Sequence, residues 1–193
     1  MNKALNFLLP IYYRRKLTLL ILLICIYPLN LQANTQEYKL QQVKAAILYN
    51  IAKFVRWPEH AIAETPDTLT ICHYRENNLN LAFLTISGKK VQRRRVNEKL
   101  IDTLDDAKHC AMLLIPFNQL QWFADDQADH GPLPILTVAD LTETNPSQVE
   151  NSKAAVNLIR KGKRIGLDIF LPEVTRNGLT ISSELLKLAR IRR

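Results

Sequence analysis

Glycine is scarce in this chain. Five glycines occur among 193 residues, and none stands in a G-x-G-x-x-G or Walker-type loop, so the backbone cradles that hold dinucleotide and nucleoside-triphosphate phosphates are missing. Histidine is scarce as well: the four, His60, His73, His109 and His130, include no H-E-x-x-H pair. There is no G-x-S-x-G nucleophile elbow and no C-x-x-C. These gaps remove the common hydrolase, zinc-protease and thiol-oxidoreductase signatures and leave no catalytic residue to nominate. His60 and His130 sit among loop-like residues and read as solvated; His73 and His109 read as surface or hydrogen-bonded core groups. Ser182-Ser183 reads as a helix start, and the doublets Asp105-Asp106 and Asp125-Asp126 as surface turns. No internal repeat and no low-complexity segment is present.

Acid is absent from residues 1–33, which carry Lys3, Arg14, Arg15 and Lys16. The formal net charge of +8 falls to +4 without them, 22 Lys and Arg against 18 Asp and Glu. That surplus is too small to be a nucleic-acid footprint. Behind the basic cluster, Leu17–Tyr27 is a run of 11 residues with Thr18 its only polar member. Pro28 breaks the run, and Leu31-Gln32-Ala33 offers a small residue for cleavage, the order of a secretory signal. A bilayer span needs about 20 apolar residues, so an uncleaved anchor is the weaker reading. Ile24 stands where a lipoprotein signal wants a small residue before Cys25. The basic residues ahead of the run hold the N-terminus in the cytoplasm. The expectation is export, with residues 1–33 removed and 34–193 forming one domain.

Cys25 lies in the signal, which leaves Cys72 and Cys110. An even count in an exported protein favours a disulfide; two free thiols or a metal site are the alternatives. Each cysteine has a histidine beside it, but neighbours on a strand point to opposite faces, and the spacing matches no common zinc pattern.

The stretch "KAAILYNIAKFVRWP" ends a first helix over 36–56. Leu40, Val43, Ile47, Ile51 and Phe54 recur at steps of three and four, and Ala46, Leu48, Ala52 and Val55 widen the stripe. Lys44 and Lys53 interrupt it, so it is a core helix rather than a membrane span, and Pro58 ends it. "TLTICHY" (68–74), "RRVNEKLI" (94–101), "CAMLLIP" (110–116) and "PILTVAD" (134–140) read as strands, the last two buried on both faces. A helix is expected over Leu79–Ile86 with Gly88 as its stop, and another over 118–127 with Asn118 as N-cap. "LTETNPSQVENSK" reads as a polar loop. "AVNLIRKGKRIGLDIF" reads as a hairpin turning at Lys161-Gly162. "LTISSELLKLARIRR" reads as a final helix capped by Ser182 or Ser183, with Lys187 and Arg190 late and Leu185, Leu188 and Ala189 on its apolar face. The alternation points to a single three-layer α/β domain: a mainly parallel sheet with a C-terminal hairpin, flanked by helices.

The densest charge is Lys89, Lys90, Arg93, Arg94 and Arg95. A solvated turn is the plain reading; an acidic partner or anionic lipid heads come next, and nucleic acid last, given export.

In order, "KAAILYNIAKFVRWP", "LTICHY", "SGKKVQRRRV", "HCAMLLIP", "ILTVAD", "GKRIGLDIF" and "GLTISSELLKLARI" resemble the YfiR family of small periplasmic proteins, from Gln36 to Ile191. The first and last blocks are the most specific. The resemblance implies a compact α/β fold, often a homodimer, with no catalytic residue; no cofactor and no metal are expected. It implies a periplasmic repressor of an inner-membrane diguanylate cyclase of the YfiN type, which keeps cyclic di-GMP low and limits biofilm formation, and an outer-membrane lipoprotein of the YfiB type that can sequester the repressor. It also implies a disulfide between Cys72 and Cys110. The second disulfide found in some members has no counterpart here: "NPSQVENSK" lacks cysteine. The usual Gly-Gly before the hairpin is missing, and Phe170 stands where asparagine is common. Contact with the partner is expected through Lys89, Lys90, Arg93, Arg94 and Arg95 and through Lys187 and Arg190. A rival expectation is a small-molecule-binding sensory module acting on a different membrane signalling protein, its ligand near His73, Tyr74 and Pro116 at the carboxyl ends of the parallel strands.

Overall fold

The computed structural model describes residues 36–62, 65–76, 79–144 and 152–193. The expected signal over 1–33 and residues 145–151 of the polar loop lie outside the described residues. The chain divides into two compact units, residues 1–40 and 41–193. Of the first, residues 36–40 are described and are helical. The second carries the sheet.

Helix α1 covers residues 36–54. Then come β1 (Val55–Arg56), α2 (Glu59–Ile62), β2 (Thr68–Tyr74), α3 (Asn80–Phe83), β3 (Lys90–Val91) and β4 (Arg94–Ile101). A 3-10 helix (Leu104–His109) leads to β5 (Cys110–Pro116), and another (Phe117–Gln119) to α4 (Leu120–Asp129). The remainder is β6 (Leu136–Leu141), β7 (Val156–Lys161), β8 (Arg164–Phe170), α5 (Leu171–Arg176), β9 (Thr180–Ile181), α6 (Ser183–Leu186) and β10 (Ala189–Arg192).

Eight strands form one sheet in the order β10-β8-β7-β6-β5-β2-β4-β3. Five of its seven pairings are parallel; β3–β4 and β7–β8 are antiparallel. The expected hairpin is present, with Lys161 opposite Arg164 and Gly162 at φ +60, the first position of a two-residue turn that favours glycine. Each face of the sheet carries its own core. Leu69, Ile71, Met112, Leu114, Val138 and Val156 meet α1 and α3 on one side. Cys72, Tyr74, Leu113, Ile115 and Ala139 meet Phe123 of α4 on the other. Strands buried on both faces are the consequence of helices above and below a parallel sheet, so the α/β expectation stands.

Strand β5 departs from alternation once. Cys110 belongs to one core, Ala111 and Met112 both to the other, and Leu113 returns to the first. The register shows the same thing: Thr70 pairs with Cys110 but Ile71 with Met112, a bulge at Ala111. The extra residue turns Cys110 onto the face of Cys72, where the two form a disulfide with Cα atoms 5.7 Å apart. The carbonyl freed at the bulge is not left empty, since Trp57 Nε1 donates to Ala111 O at 2.7 Å.

The two most distinctive sequence blocks meet. Strand β1 pairs antiparallel with β9, Ser182 N–H donates to Phe54 O at 2.9 Å, and Pro58 lies 3.8 Å from where a Cβ on Gly178 would stand. Gly178 has φ +71, a left-handed position that suits glycine.

Several local expectations are corrected. The buried side of α1 is Lys44, Ala45, Leu48, Ile51 and Ala52, while Val43 is 49% exposed. Apolar residues are so frequent there that two stripes satisfy the helical period, and Asp140, 2.8 Å from Lys44 Nζ, selects the one that turns Lys44 inward. The helix expected over Leu79–Ile86 is four residues long and continues as turns to Gly88. Asn118 does not cap α4; it lies in the preceding 3-10 turn and donates to Glu76 Oε1 at 2.8 Å. The last helix stops at Leu186, with Ser182 as its cap, and Leu188 is 74% exposed. Beyond it the chain becomes β10, because Arg190 and Arg192, two residues apart, both reach the buried Asp168.

Candidate functional site

Strands β3 and β4 form a tight hairpin at one end of the sheet, Lys90 opposite Arg95 and Val91 opposite Arg94. Its two turn residues, Gln92 and Arg93, have φ +49 and +74. Such a turn is normally made by Asn-Gly, because side chains other than glycine are strained in the left-handed region. The strain is met by contacts with α1. Gln92 Nε2 donates to Val55 O of β1 at 2.7 Å and to Ala52 O, in the last turn of the helix, at 3.4 Å; carbonyls of a last turn have no partner within the helix. Tyr49 Oη donates to Lys90 O at 3.1 Å. Lys53 Nζ lies 4.1 Å and Lys89 Nζ 5.8 Å from the centre of the Tyr49 ring, a cation–π arrangement on both.

The expected partner-binding residues therefore separate into groups. Lys89, Lys90, Arg93 and Arg95 are exposed on the hairpin. Arg94 is half-buried with its Nε lacking a hydrogen-bond partner. Lys187 is exposed just past α6. Arg190 is not on a helix: it lies on β10, its Nε and Nη2 each 2.9 Å from the Asp168 carboxylate, with Arg192 Nε 3.1 Å from the same group. Arg190 is exposed but engaged by the buried Asp168, and it is far along the sheet order from the hairpin.

The carboxyl ends of β2 and β5 do not form an open cleft. His73 and Tyr74 are fully buried. Tyr74 Oη donates to Asp126 Oδ2 at 2.9 Å, which also accepts Leu104 N–H at 2.7 Å; burial, then Asp126, raises the Tyr74 pKa. Asp126 is thus a structural acceptor. His73 is a core residue, but its ring nitrogens make no hydrogen bond. Nε2 is 3.1 Å from Glu98 Oε1, yet the ring is not aimed at that oxygen, and desolvation prevails: burial pushes the pKa down to about 4. His73 packs edge-on to Phe83, with ring centres 5.6 Å apart. His130 binds Asp126 O through Nδ1 and Asp105 through Nε2, and these bonds raise its pKa.

Arg75, just past β2, has φ +61 and stacks its guanidinium 4.8 Å from the ring of Trp122, which is 57% exposed. An open cavity of about 420 Å³ has His130, Lys153, Phe170, Glu173 and Arg176 in its wall. Glu173 is buried there and accepts from Arg176 Nη2 at 2.6 Å and Gln127 Nε2 at 3.2 Å.

Among the described residues no group of three or more His, Cys, Asp or Glu side chains could hold a metal ion, and no helix is long and apolar enough to cross a membrane. Sequence reasoning missed Lys44–Asp140, Gln92 and the Asp168 latch. A charge inside an apolar helix stripe and Asp168 within the apolar strand "GLDIF" were the available signals.

No curated protein matches the chain. A family model described as YfiR/HmsC-like matches residues 41–190, from the second turn of α1 into β10, and the chain belongs to that family.

Proposed function

We propose that this YfiR/HmsC-like protein is exported to the periplasm, loses residues 1–33, and acts through residues 34–193 as a non-catalytic repressor of an inner-membrane diguanylate cyclase of the YfiN type. Repression lowers cyclic di-GMP and limits biofilm formation. Family membership over residues 41–190 is the observation that carries this reading. It is supported by an eight-stranded sheet with a disulfide between central strands and by an exposed basic hairpin. A regulator of this kind shifts the cyclase only by binding its inactive state more tightly, and typical coupling is on the order of 1–3 kcal/mol. Lys89, Lys90, Arg93, Arg95 and Lys187 are the contact residues in this reading; Arg190 is paired with Asp168, and Arg94 is half-buried. A lipoprotein of the YfiB type would relieve repression by sequestering the protein, and the active form is a homodimer.

Deletion of the gene raises cyclic di-GMP in this reading, and the protein co-purifies with a membrane-spanning cyclase after crosslinking. Unchanged cyclic di-GMP in the deletion strain refutes it.

The second reading, a small-molecule sensory module, is favoured by one observation: the cavity beside Glu173. It replaces the position expected at His73, Tyr74 and Pro116, which are buried. Ligand-induced thermal shifts that vanish in Glu173→Gln would support it.

A further inference from the structure

Two stretches without acid converge at the hairpin. No Asp or Glu lies between Glu37 and Glu59, nor between Glu76 and Glu98. The bonds from Tyr49 and Gln92 bring the end of the first against the second. The cations are spread over both sides of the hairpin. Val91 belongs to the core that includes α1, so Lys89 shares its side, where it meets the Tyr49 ring with Lys53. Lys90 and Arg95 point the other way and stand directly opposite each other, a like-charge pair that opposes strand pairing. Arg93 occupies the tip in a strained conformation. Among the described residues, Lys53, Lys89, Lys90, Arg93 and Arg95 enter no ion pair. A pair of mutually repelling cations and a strained, charged turn are unfavourable for the isolated protein. They become favourable when an anion lies against both sides, and strain held in this way marks positions where geometry matters.

We propose that the β3–β4 hairpin is a rigid basic finger that inserts into an acidic cleft of a protein partner, with Gln92 as its positioning residue. The side that carries Val91 is packed on α1, so a partner meets Lys53 and Lys89 at the rim of that contact, around the Tyr49 ring, and Lys90 and Arg95 on the free side; a flat anionic bilayer lies against one of these groups, a cleft against both. The proposal deepens the repressor reading and rests on it for the identity of the partner.

The test uses the oxidised protein and, as probe, a peptide of eight glutamates. Binding weakens by about tenfold or more between low and physiological salt, as screening requires. The pair Lys90→Glu with Arg95→Glu, which keeps a like-charge pair, abolishes binding at unchanged melting temperature. Gln92→Ala leaves the net charge untouched, weakens binding, and speeds amide exchange at residues 90–95; exchange is the readout a purely electrostatic role would not move. Peptide binding by the reversal variant equal to the parent's overturns the finger, as does capture by phosphatidylglycerol vesicles with none by the peptide. In cells the two proposals separate. If deletion raises cyclic di-GMP but the reversal variant restores repression, the finger is wrong and the repressor reading stands. If deletion changes nothing, the repressor reading falls, and the peptide assay alone decides the finger.

Discussion

Replacing Lys44 by methionine should be among the most damaging single changes in the protein, although it makes the helix more apolar. Lys44 is 3% exposed. Its Nζ sits 2.8 Å from Asp140 Oδ2 and 3.7 Å from Glu143 Oε1. At an effective dielectric of about 20, unit charges at the shorter distance attract by roughly 6 kcal/mol. Desolvating the two groups offsets most of that, so the intact pair contributes little net stability. Breaking it is a different matter. Methionine keeps the stem and the packing but leaves Asp140, among the described residues, with the N–H and hydroxyl of Thr142 as its donors. The expected loss is about 3–5 kcal/mol, or roughly 6–20 °C in melting temperature for a chain of this size. Urea unfolding of the parent, Lys44→Met, Asp140→Asn and the double variant forms the cycle. The double variant should recover more than about 1 kcal/mol relative to Lys44→Met, because the uncompensated charge is gone. A Lys44→Met protein within about 1 kcal/mol of the parent, or strictly additive effects, would refute the reasoning.

Reduction of the Cys72–Cys110 bridge, which closes a 38-residue separation, should cost about 4 kcal/mol on the loop-entropy view; a melting temperature unmoved by reductant would contradict it. His73 makes the protein acid-sensitive. Its folded pKa of about 4 lies below the ordinary 6.5, so the unfolded chain binds a proton that the native state refuses. Stability is intact above pH 6.5 and falls as pH drops towards 4, by about 3 kcal/mol in total. His73→Phe should flatten that limb, and a parent equally stable at pH 7 and 4.5 would exclude it. Asp168→Ala leaves Arg190 and Arg192 without their shared carboxylate and should release β10, visible as fast amide exchange at residues 189–192 while β6 stays protected; unchanged exchange there would show that backbone pairing alone holds the strand.

The sheet was legible because its strands are written in the plainest terms: "TLTICHY" and "CAMLLIP" are short apolar runs without a helical period, and Lys161-Gly162 marks its own turn. The YfiR-like resemblance was legible in its end blocks for a reason the fold supplies, since Trp57-Pro58 and Gly178-Leu179 are in one neighbourhood. What could not be read depends on partners remote in sequence. The direction of Lys44 is set by Asp140, and the strand state of Arg190 by Asp168. The inward face of α1 is ambiguous by period alone. The hairpin was readable as a charged turn, but its coupling to α1 through Gln92 spans 37 residues and leaves no local trace.

The bulge at Ala111 has a bearing on how the chain matures. Were β5 to pair with β2 without the additional residue, Cys110 would project on the Met112 side, and the sheet itself would separate its sulfur from that of Cys72. Once the two strands are paired, only the native register brings the two sulfurs together. A misaligned chain keeps two thiols, open to mixed disulfides with exchange catalysts and so to another attempt. The bond then serves as a proofreading step as well as a clamp: in an oxidising compartment it seals molecules whose central strands have found their register and leaves the others correctable.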